Sequence, residues 1–231
     1  VFLLFLGMVY GVPGGVPFLE VKTPAGFFCD LGGTFGARNA RIREALQGFM
    51  AGFKPCPFSR GGETCTVLPF FCNANRGSNL AYHRVWIKSP DGESFAADWT
   101  FPPSGFDPDR PVVLLLTGLA PRKHWTQAGG FVADAAWHLT AISGMTVVVV
   151  VSRGTQDTQV QEHMFHGART EDLRQVVLLA HETLEAACGK PPSVFAAGFS
   201  MGAIILANYC GVFGQDSKLS GAVNFSGLYD P

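Results

Sequence analysis

The sequence predicts an α/β protein built on a parallel sheet, and three observations support this fold class. From Pro111 onward, short apolar runs rich in β-branched residues alternate with segments long enough for helices. Unbroken apolar runs are typical of parallel strands that are buried on both faces, and their alternation with helices implies right-handed crossovers. Charged residues make up 15% of the 231 residues and hydrophobic residues 47%, which excludes a disordered chain.

The first element of this domain is a predicted β-hairpin. Residues 82–89 and 94–100 alternate apolar and polar side chains on either side of Pro90-Asp91-Gly92, a pattern typical of two strands joined by a turn. A loop rich in Pro and Gly follows over 101–110. The predicted parallel strands are Val112–Leu116, Thr146–Val151, 193–197 and Gly221–Phe225. The predicted helices are 127–142, 170–188, which Thr170 is expected to cap, and Met201–Phe213.

Two segments precede this domain. Residues 1–19 are apolar and uncharged, and we expect them to be the end of a membrane anchor, although glycines and prolines interrupt their second half. A signal-peptide remnant or a buried segment remains an alternative. Residues 20–81 are an accessory lead-in with one predicted helix over 40–53, and residues 82–231 form the α/β domain. The expected location is a membrane surface, otherwise the cytoplasm.

Charge and cysteine content exclude several function classes. The formal net charge of −1 provides no bulk attraction for nucleic acid. None of the six cysteines forms a CxxC pair, so we expect no zinc site, and nothing in the sequence calls for another metal or a cofactor. Cys56, Cys65 and Cys72 are expected to be free thiols in a reducing compartment, with a disulfide among them as the alternative. Cys188 and Cys210 lie on predicted helices, where cysteine acts as a small hydrophobe.

One motif carries chemistry. Gly198-Phe199-Ser200-Met201-Gly202 follows a predicted strand and precedes a predicted helix. A GxSxG motif in this context forms a strained turn that lifts the serine hydroxyl above the sheet, and its glycines let neighbouring backbone pass closely. Ser200 is therefore the predicted nucleophile of a serine hydrolase.

An oxyanion hole is expected beside Ser200. The N–H of Met201, at the start of the helix, is the first predicted donor, and the helix dipole favours an anion there. The second donor should come from the loop after Val112–Leu116, where Gly118 permits a tight turn and Leu119 offers its N–H.

These residues resemble a known family. Val112–Leu116 with Thr117-Gly118-Leu119, Arg153-Gly154 after a strand, Thr170-Glu171-Asp172-Leu173 and the GxSxG motif are similar to the membrane-anchored α/β-hydrolase-domain esterases related to bacterial YheT and plant embryogenesis-associated proteins, the AB hydrolase 4 group. The resemblance covers residues 82–231. It implies an α/β-hydrolase fold and activity on short-chain carboxyl esters, monoacylglycerols or phospholipids.

The chain departs from the family pattern at two points. Thr117-Gly118-Leu119-Ala120-Pro121 stands where the family has Pro-Gly-Leu-Thr-Gly, and Pro121 offers no N–H to an oxyanion. Ser152 replaces the usual Asn or Phe before Arg153, which we expect to anchor its loop through backbone carbonyls.

The base that would activate Ser200 is not evident in the sequence. Hydrolases of this fold order their triad as serine, acid and histidine, whereas all six histidines precede Ser200. We expect the chain to be a fragment that lacks the C-terminal strands, the acid and the histidine; a true pseudo-enzyme is the alternative. His163 and His166 are expected on a solvent-facing or substrate-gating loop, with a role as the base as the alternative. Asp230 is expected in a turn.

The predicted function is therefore hydrolysis of carboxylic esters through an acyl-enzyme on Ser200, with a small-molecule ester, acylglycerol or lipid as substrate. Two other functions stay open. One is a non-catalytic hydrolase-fold protein, and the other is an acyltransferase that passes the acyl group to an alcohol.

Overall fold

A mixed sheet of seven strands organises the computed structural model of the protein, which describes residues 5–6, 41, 44, 80–118, 131–225 and 227. The strands are β1 (Phe5–Leu6), β2 (His83–Lys88), β3 (Ser94–Thr100), β4 (Val112–Leu116), β5 (Thr146–Val151), β6 (Val194–Phe199) and β7 (Gly221–Phe225). The helices are α1 (Phe131–Trp137), α2 (Glu171–Cys188) and α3 (Met201–Phe213). A π-helical turn, His138–Ile142, extends α1, and a 3-10 turn, Gly214–Ser217, follows α3.

The strand order is β1-β7-β6-β4-β5-β3-β2, with β4 at the centre. Strand β4 pairs in parallel with both β5 and β6, so Leu114 lies opposite Val148 on one side and Ala196 on the other. Strands β6, β7 and β1 continue the parallel part, while β3 pairs antiparallel with β5 and β2. The carboxyl ends of β4 to β7 therefore meet at one edge of the sheet. The predicted α/β fold and the predicted hairpin are confirmed.

Both faces of the central strands are buried, which explains their unbroken apolar runs. Leu114 and Leu116 point to the side covered by α2 and α3, where they share a core with Leu173, Val177 and Leu206. Val113 and Leu115 point to the other side, in a second core with α1 residues Val132 and Ala136. Since full burial of one such side chain stabilises by about 1.5–3 kcal/mol, this packing fixes the sheet.

Details at the element ends differ from the sequence predictions. Thr170 does precede α2, but its side chain makes no capping hydrogen bond, so the predicted cap is wrong. The acidic first turn, Glu171 and Asp172, complements the helix dipole instead. Strand β6 runs two residues past its predicted end and reaches Phe199, which brings it directly to Ser200.

Several sequence predictions concern residues that the structure does not describe. Within the described residues, no helix is long and apolar enough to cross a membrane. Of the predicted anchor segment, only Phe5 and Leu6 are described, and they form the short strand β1. The remainder of 1–19, residues 20–81 apart from 41, 44, 80 and 81, and residues 119–130 lie outside the described ranges. The predicted domain boundaries stay predictions.

Candidate active site

Ser200 occupies a tight turn between the end of β6 and the start of α3. Its backbone has φ 53° and ψ −117°, a conformation that residues other than glycine rarely adopt and that costs about 1–3 kcal/mol. The turn is held on both sides: the Ser200 N–H donates to Phe225 O at 2.9 Å, and its carbonyl accepts from the N–H groups of Ala203 and Ile204. The residue is exposed, so the surrounding backbone presents its hydroxyl to solvent.

The two glycines of the motif are required by close packing. A Cβ atom at Gly198 would lie 2.6 Å from Gly202 O and 2.7 Å from the Ala203 Cα. A Cβ atom at Gly202 would lie 2.5 Å from Leu116 O and 2.6 Å from Thr117 O. These contacts are to backbone, which cannot move aside as a flexible side chain can. The first turn of α3 therefore rests directly on the ends of β6 and β4, and the serine is lifted above both strands.

Gly118 has a different role from the predicted one. It does not adopt the positive φ of a tight glycine turn. Instead, a Cβ atom at this position would lie 3.0 Å from the Ser200 Cβ and 3.5 Å from the Ser200 Oγ. Gly118 is thus a glycine because the end of β4 passes immediately beside the serine.

The structure describes one of the two predicted oxyanion donors, Met201. Met201 is the first residue of α3, and N–H groups in the first helical turn have no acceptor within the helix. Met201 directly follows Ser200, and its N–H stays a predicted oxyanion donor. Leu119 lies outside the described residues, so its N–H stays a predicted donor. The position of Gly118 brings the chain beside Ser200 one residue before Leu119.

We call the turn formed by residues 198–202 the nucleophile elbow, or elbow. The two motifs that precede it in the sequence meet in the structure. Arg153, fully buried, donates from Nε and Nη2 to the Asp172 carboxylate at 2.7 and 2.6 Å. It also donates to Asp91 Oδ2 at 2.5 Å and to Ser89 Oγ at 2.8 Å, and Arg169 reaches the same Asp91 oxygen at 2.9 Å. We call Asp91, Arg153, Arg169 and Asp172 the charged corner. The expectation that Arg153 binds backbone carbonyls is wrong, because its donors are taken by carboxylates and a hydroxyl.

The contacts within the charged corner shift the pKa values of Asp91 and Arg153. The Arg153 guanidinium holds the pKa of the Asp91 carboxyl well below its usual range, chiefly through their hydrogen bond. Burial lowers the pKa of Arg153, but its hydrogen bonds to Asp172 and Asp91 offset burial and raise the pKa above the ordinary value. Asp91 and Arg153 therefore stay charged throughout the physiological pH range.

Glu93 follows the hairpin turn, is 4% exposed and was not among the residues predicted from the sequence to have a role. Its carboxylate accepts the successive backbone N–H groups of Gln161, Glu162 and His163 at 2.7–3.1 Å. These hydrogen bonds lower the pKa of Glu93. No local pattern indicated this role, because the partners lie about 70 residues away along the chain.

The loop from β5 to α2 carries His163 and His166, and the structure places both at the surface as expected. Asp216 is exposed in the 3-10 turn after α3, and Asp230 lies outside the described residues.

Cys188 and Cys210 lie on α2 and α3 as free thiols, and burial raises the pKa of Cys210 to about 11. Within the described part of the chain, no cluster of three or more side chains could hold a metal ion.

A small cavity lies behind the elbow. Gly202 and Thr117 line it from the elbow side, while Phe165 and Arg169 line it from the β5–α2 loop. The Thr117 hydroxyl is buried and has no hydrogen-bond partner among the described residues. Residues of the β5–α2 loop and of the elbow therefore line the same cavity.

Known proteins similar to this chain include a phospholipase and an embryogenesis-associated protein. It is 31% identical over 158 residues to phospholipase ABHD3 of Homo sapiens, an alignment that covers 64% of this chain and 35% of the relative. It is also 31% identical over 151 residues to the embryogenesis-associated protein EMB8 of Picea glauca, covering 61% of this chain and 30% of the relative. The chain thus spans about a third of the length of the curated relatives it matches.

Among solved structures, the esterase Pf2001 of Pyrococcus furiosus aligns with a TM-score of 0.48 and 17% identity, over 67% of this chain and 54% of that one. No protein-family model matches the sequence. The sequence relatives include an embryogenesis-associated protein, as the sequence motifs predicted, and the sheet with its strand-serine-helix turn is the one that those motifs imply. These similarities support a place for the chain in the α/β-hydrolase superfamily.

Proposed function

We propose that the protein is a serine hydrolase that cleaves carboxylic esters through an acyl-enzyme on Ser200. The observation that carries the proposal is the strained turn at Ser200, together with the close approach of Gly118, where an added Cβ atom would lie 3.5 Å from the Ser200 Oγ. Strain at a residue other than glycine persists only where the surroundings enforce it, and it is concentrated at active sites.

In the proposed reaction, Ser200 Oγ attacks the ester carbonyl and the carbonyl oxygen becomes an oxyanion. The N–H groups of Met201 and Leu119 donate to that oxygen, and the alcohol leaves as the acyl group stays on Ser200. Water then hydrolyses the acyl-enzyme. The attack requires a base to take the serine proton, for which hydrolases of this fold use a histidine after the acid. Because every histidine of this chain precedes Ser200, we assign the base to none of them.

The proposed substrates are lipid esters: short-chain carboxyl esters, monoacylglycerols or phospholipids. Two considerations support this class. A relative of this chain is named a phospholipase, and the elbow stands beside apolar side chains, with Phe165 and Ile205 lining the cavity behind it. Association with a membrane surface, where such substrates reside, belongs to the same proposal. No cofactor, metal or nucleic acid enters it.

A fluorophosphonate probe, which reacts with activated serines, tests the proposal on the full-length protein. We expect stoichiometric labelling that Ser200→Ala abolishes. Ser193→Ala is the matched control, because Ser193 is an exposed serine just before the other end of β6. Labelling that persists in Ser200→Ala would overturn the assignment, and an unlabelled wild-type protein would favour the non-catalytic alternative. Product analysis with an ester plus glycerol separates hydrolysis from acyl transfer.

A further inference from the structure

We propose that Glu93 is a positioning residue for the nucleophile elbow: it holds the β5–α2 loop against the first turns of α3, so that the backbone around Ser200 keeps its geometry. The consequence for catalysis rests on the proposed function of Ser200. The mechanical connection rests on contacts alone and is tested separately below.

The outer end of this connection is the carboxylate of Glu93. Three successive N–H groups, those of Gln161, Glu162 and His163, converge on it. Converging backbone N–H groups form a concavity that binds an anion, and here the anion is a buried side chain from the hairpin. Because hydrogen bonds to an ionised acceptor are about twice as strong as neutral ones, this contact fixes the loop more firmly than a backbone turn would.

The hairpin turn also holds the two ends of the same loop. Asp91, two residues before Glu93, binds Arg153 directly after β5 and Arg169 directly before α2. The loop is therefore attached to the hairpin at its start, its middle and its end. Glu93 holds residues 161–163, the part of the loop that leads to Gly167, which contacts α3.

The inner end of the connection lies on α3. A Cβ atom at Gly167 would lie 2.7 Å from the Ile204 Cγ2 and 3.6 Å from the Met201 Sδ, so the loop backbone lies directly on the first turn. The side chain of Asn208 donates to Gly167 O at 2.9 Å, one turn further along the helix. Met201, whose side chain lies near Gly167, is also the proposed oxyanion donor. We therefore expect a displacement of the loop to shift the backbone at Met201, beside the proposed reaction site.

Hydrogen exchange in the full-length protein tests this connection with Glu93→Gln. The substitution keeps the shape of the side chain but removes its charge and replaces one carboxylate oxygen by an NH₂ group, which cannot accept a hydrogen bond. We expect faster exchange at the amides of 161–163 and also at those of Ala203 and Ile204, which bond to Ser200 O. Exchange in β4 and β5 should stay unchanged. Glu182→Gln, an exposed glutamate on α2, is the matched control.

A second variant breaks the connection at its inner end without a risk to folding. Asn208 is exposed, and Asn208→Ala removes only its hydrogen bond to Gly167. We expect the amides of Ala203 and Ile204 to exchange faster in this variant, while those of 161–163 stay protected by Glu93. Faster exchange confined to 161–163 in Glu93→Gln, or equally faster exchange throughout the protein, would overturn the proposal, since the first shows no connection and the second shows a general loss of stability.

The rate of fluorophosphonate labelling links the connection to catalysis. We expect Glu93→Gln to slow labelling of Ser200 roughly tenfold or more, since small displacements of reacting groups reduce rates on this scale. Unchanged labelling together with faster exchange at the elbow would overturn the positioning role. If the wild-type protein is not labelled at all, the proposed function fails, and the exchange experiment still decides whether Glu93 holds the elbow.

Discussion

The elbow and the charged corner lie at the same edge of the sheet but are built in opposite ways. At the elbow, side chains are missing: Gly198 and Gly202 let stretches of backbone approach to distances that no Cβ atom allows, and Gly118 leaves little room for one. At the charged corner, a fully buried arginine is surrounded by carboxylates from the hairpin and from α2. One region is shaped by steric exclusion and the other by electrostatic pairing.

This difference determines how each region responds to change. Backbone contacts at the elbow leave no freedom for an added atom, so the elbow tolerates no enlargement. At the corner, by contrast, removal of the central charge leaves a buried partner unpaired. Stability at the elbow therefore depends on the volume of the side chains there, and stability at the corner depends on the pairing of its charges. Three experiments test this contrast.

The largest effect is expected for Arg153→Met, which removes the guanidinium but keeps an apolar stem. Asp172, which is 8% exposed, would then carry an unpaired charge, so we expect the free energy of unfolding to fall by about 3–5 kcal/mol. Urea unfolding at pH 7 measures it. The double variant Arg153→Met, Asp172→Leu should recover much of the loss, because an apolar pair of similar volume often replaces a buried ion pair without cost.

Lys190→Met is the control for this prediction, since Lys190 and Asp109 form an ion pair at the exposed surface. It should leave the unfolding transition where it is. A loss below about 1 kcal/mol in Arg153→Met would mean that the corner is not governed by charge balance.

A smaller but still severe loss is expected for Gly202→Ala. The added Cβ would meet two backbone oxygens of β4 and its loop, and overpacking of this kind costs about 3 kcal/mol. Gly211→Ala is the matched control on the same helix, because nothing lies within 4 Å of a Cβ atom there. It should raise the free energy of unfolding by up to about 1 kcal/mol through helix propensity. Similar losses in both variants would refute the steric account of the elbow.

Acid should weaken the hairpin-loop contacts by the smallest of the three effects. The pKa values of Asp91 and Glu93 are depressed in the folded protein, so their stabilisation is complete above the ordinary carboxyl pKa of about 4 and is lost as the pH falls below it. We expect the free energy of unfolding to fall less steeply between pH 5 and pH 3 in Asp91→Asn than in the wild-type protein. Urea unfolding at several pH values measures the slopes, and parallel curves would contradict the assignment.

The sheet and the elbow could be predicted from sequence because their signals are local. The apolar run Val112–Leu116 indicates burial on both faces without any knowledge of its neighbours. The glycines on either side of Ser200 identify a strained turn within five residues. The predicted strand ends before Gly198, because glycine disfavours strands, whereas β6 continues to Phe199. The close packing of α3 against this position requires a glycine.

The charged corner could not be predicted because its contacts connect distant parts of the chain. Arg153 and Asp172 were recognised as parts of two motifs, but no periodicity indicates that they bind each other or that Asp91, 62 residues before Arg153, completes the set. Glu93 had no motif at all. Hydrophobic patterns report which face of an element is buried, and they carry no information about which charges meet between elements.

The backbone conformation of Ser200 has a consequence for the stability of the protein as a whole. The strain of about 1–3 kcal/mol at this residue exceeds the roughly 0.5–1 kcal/mol by which the flexibility of a glycine favours the unfolded chain. Glycine would therefore be the more stable residue here. Selection for heat resistance alone would favour glycine at position 200 and discard the hydroxyl, so this serine is a point at which durability and the proposed activity are in direct competition.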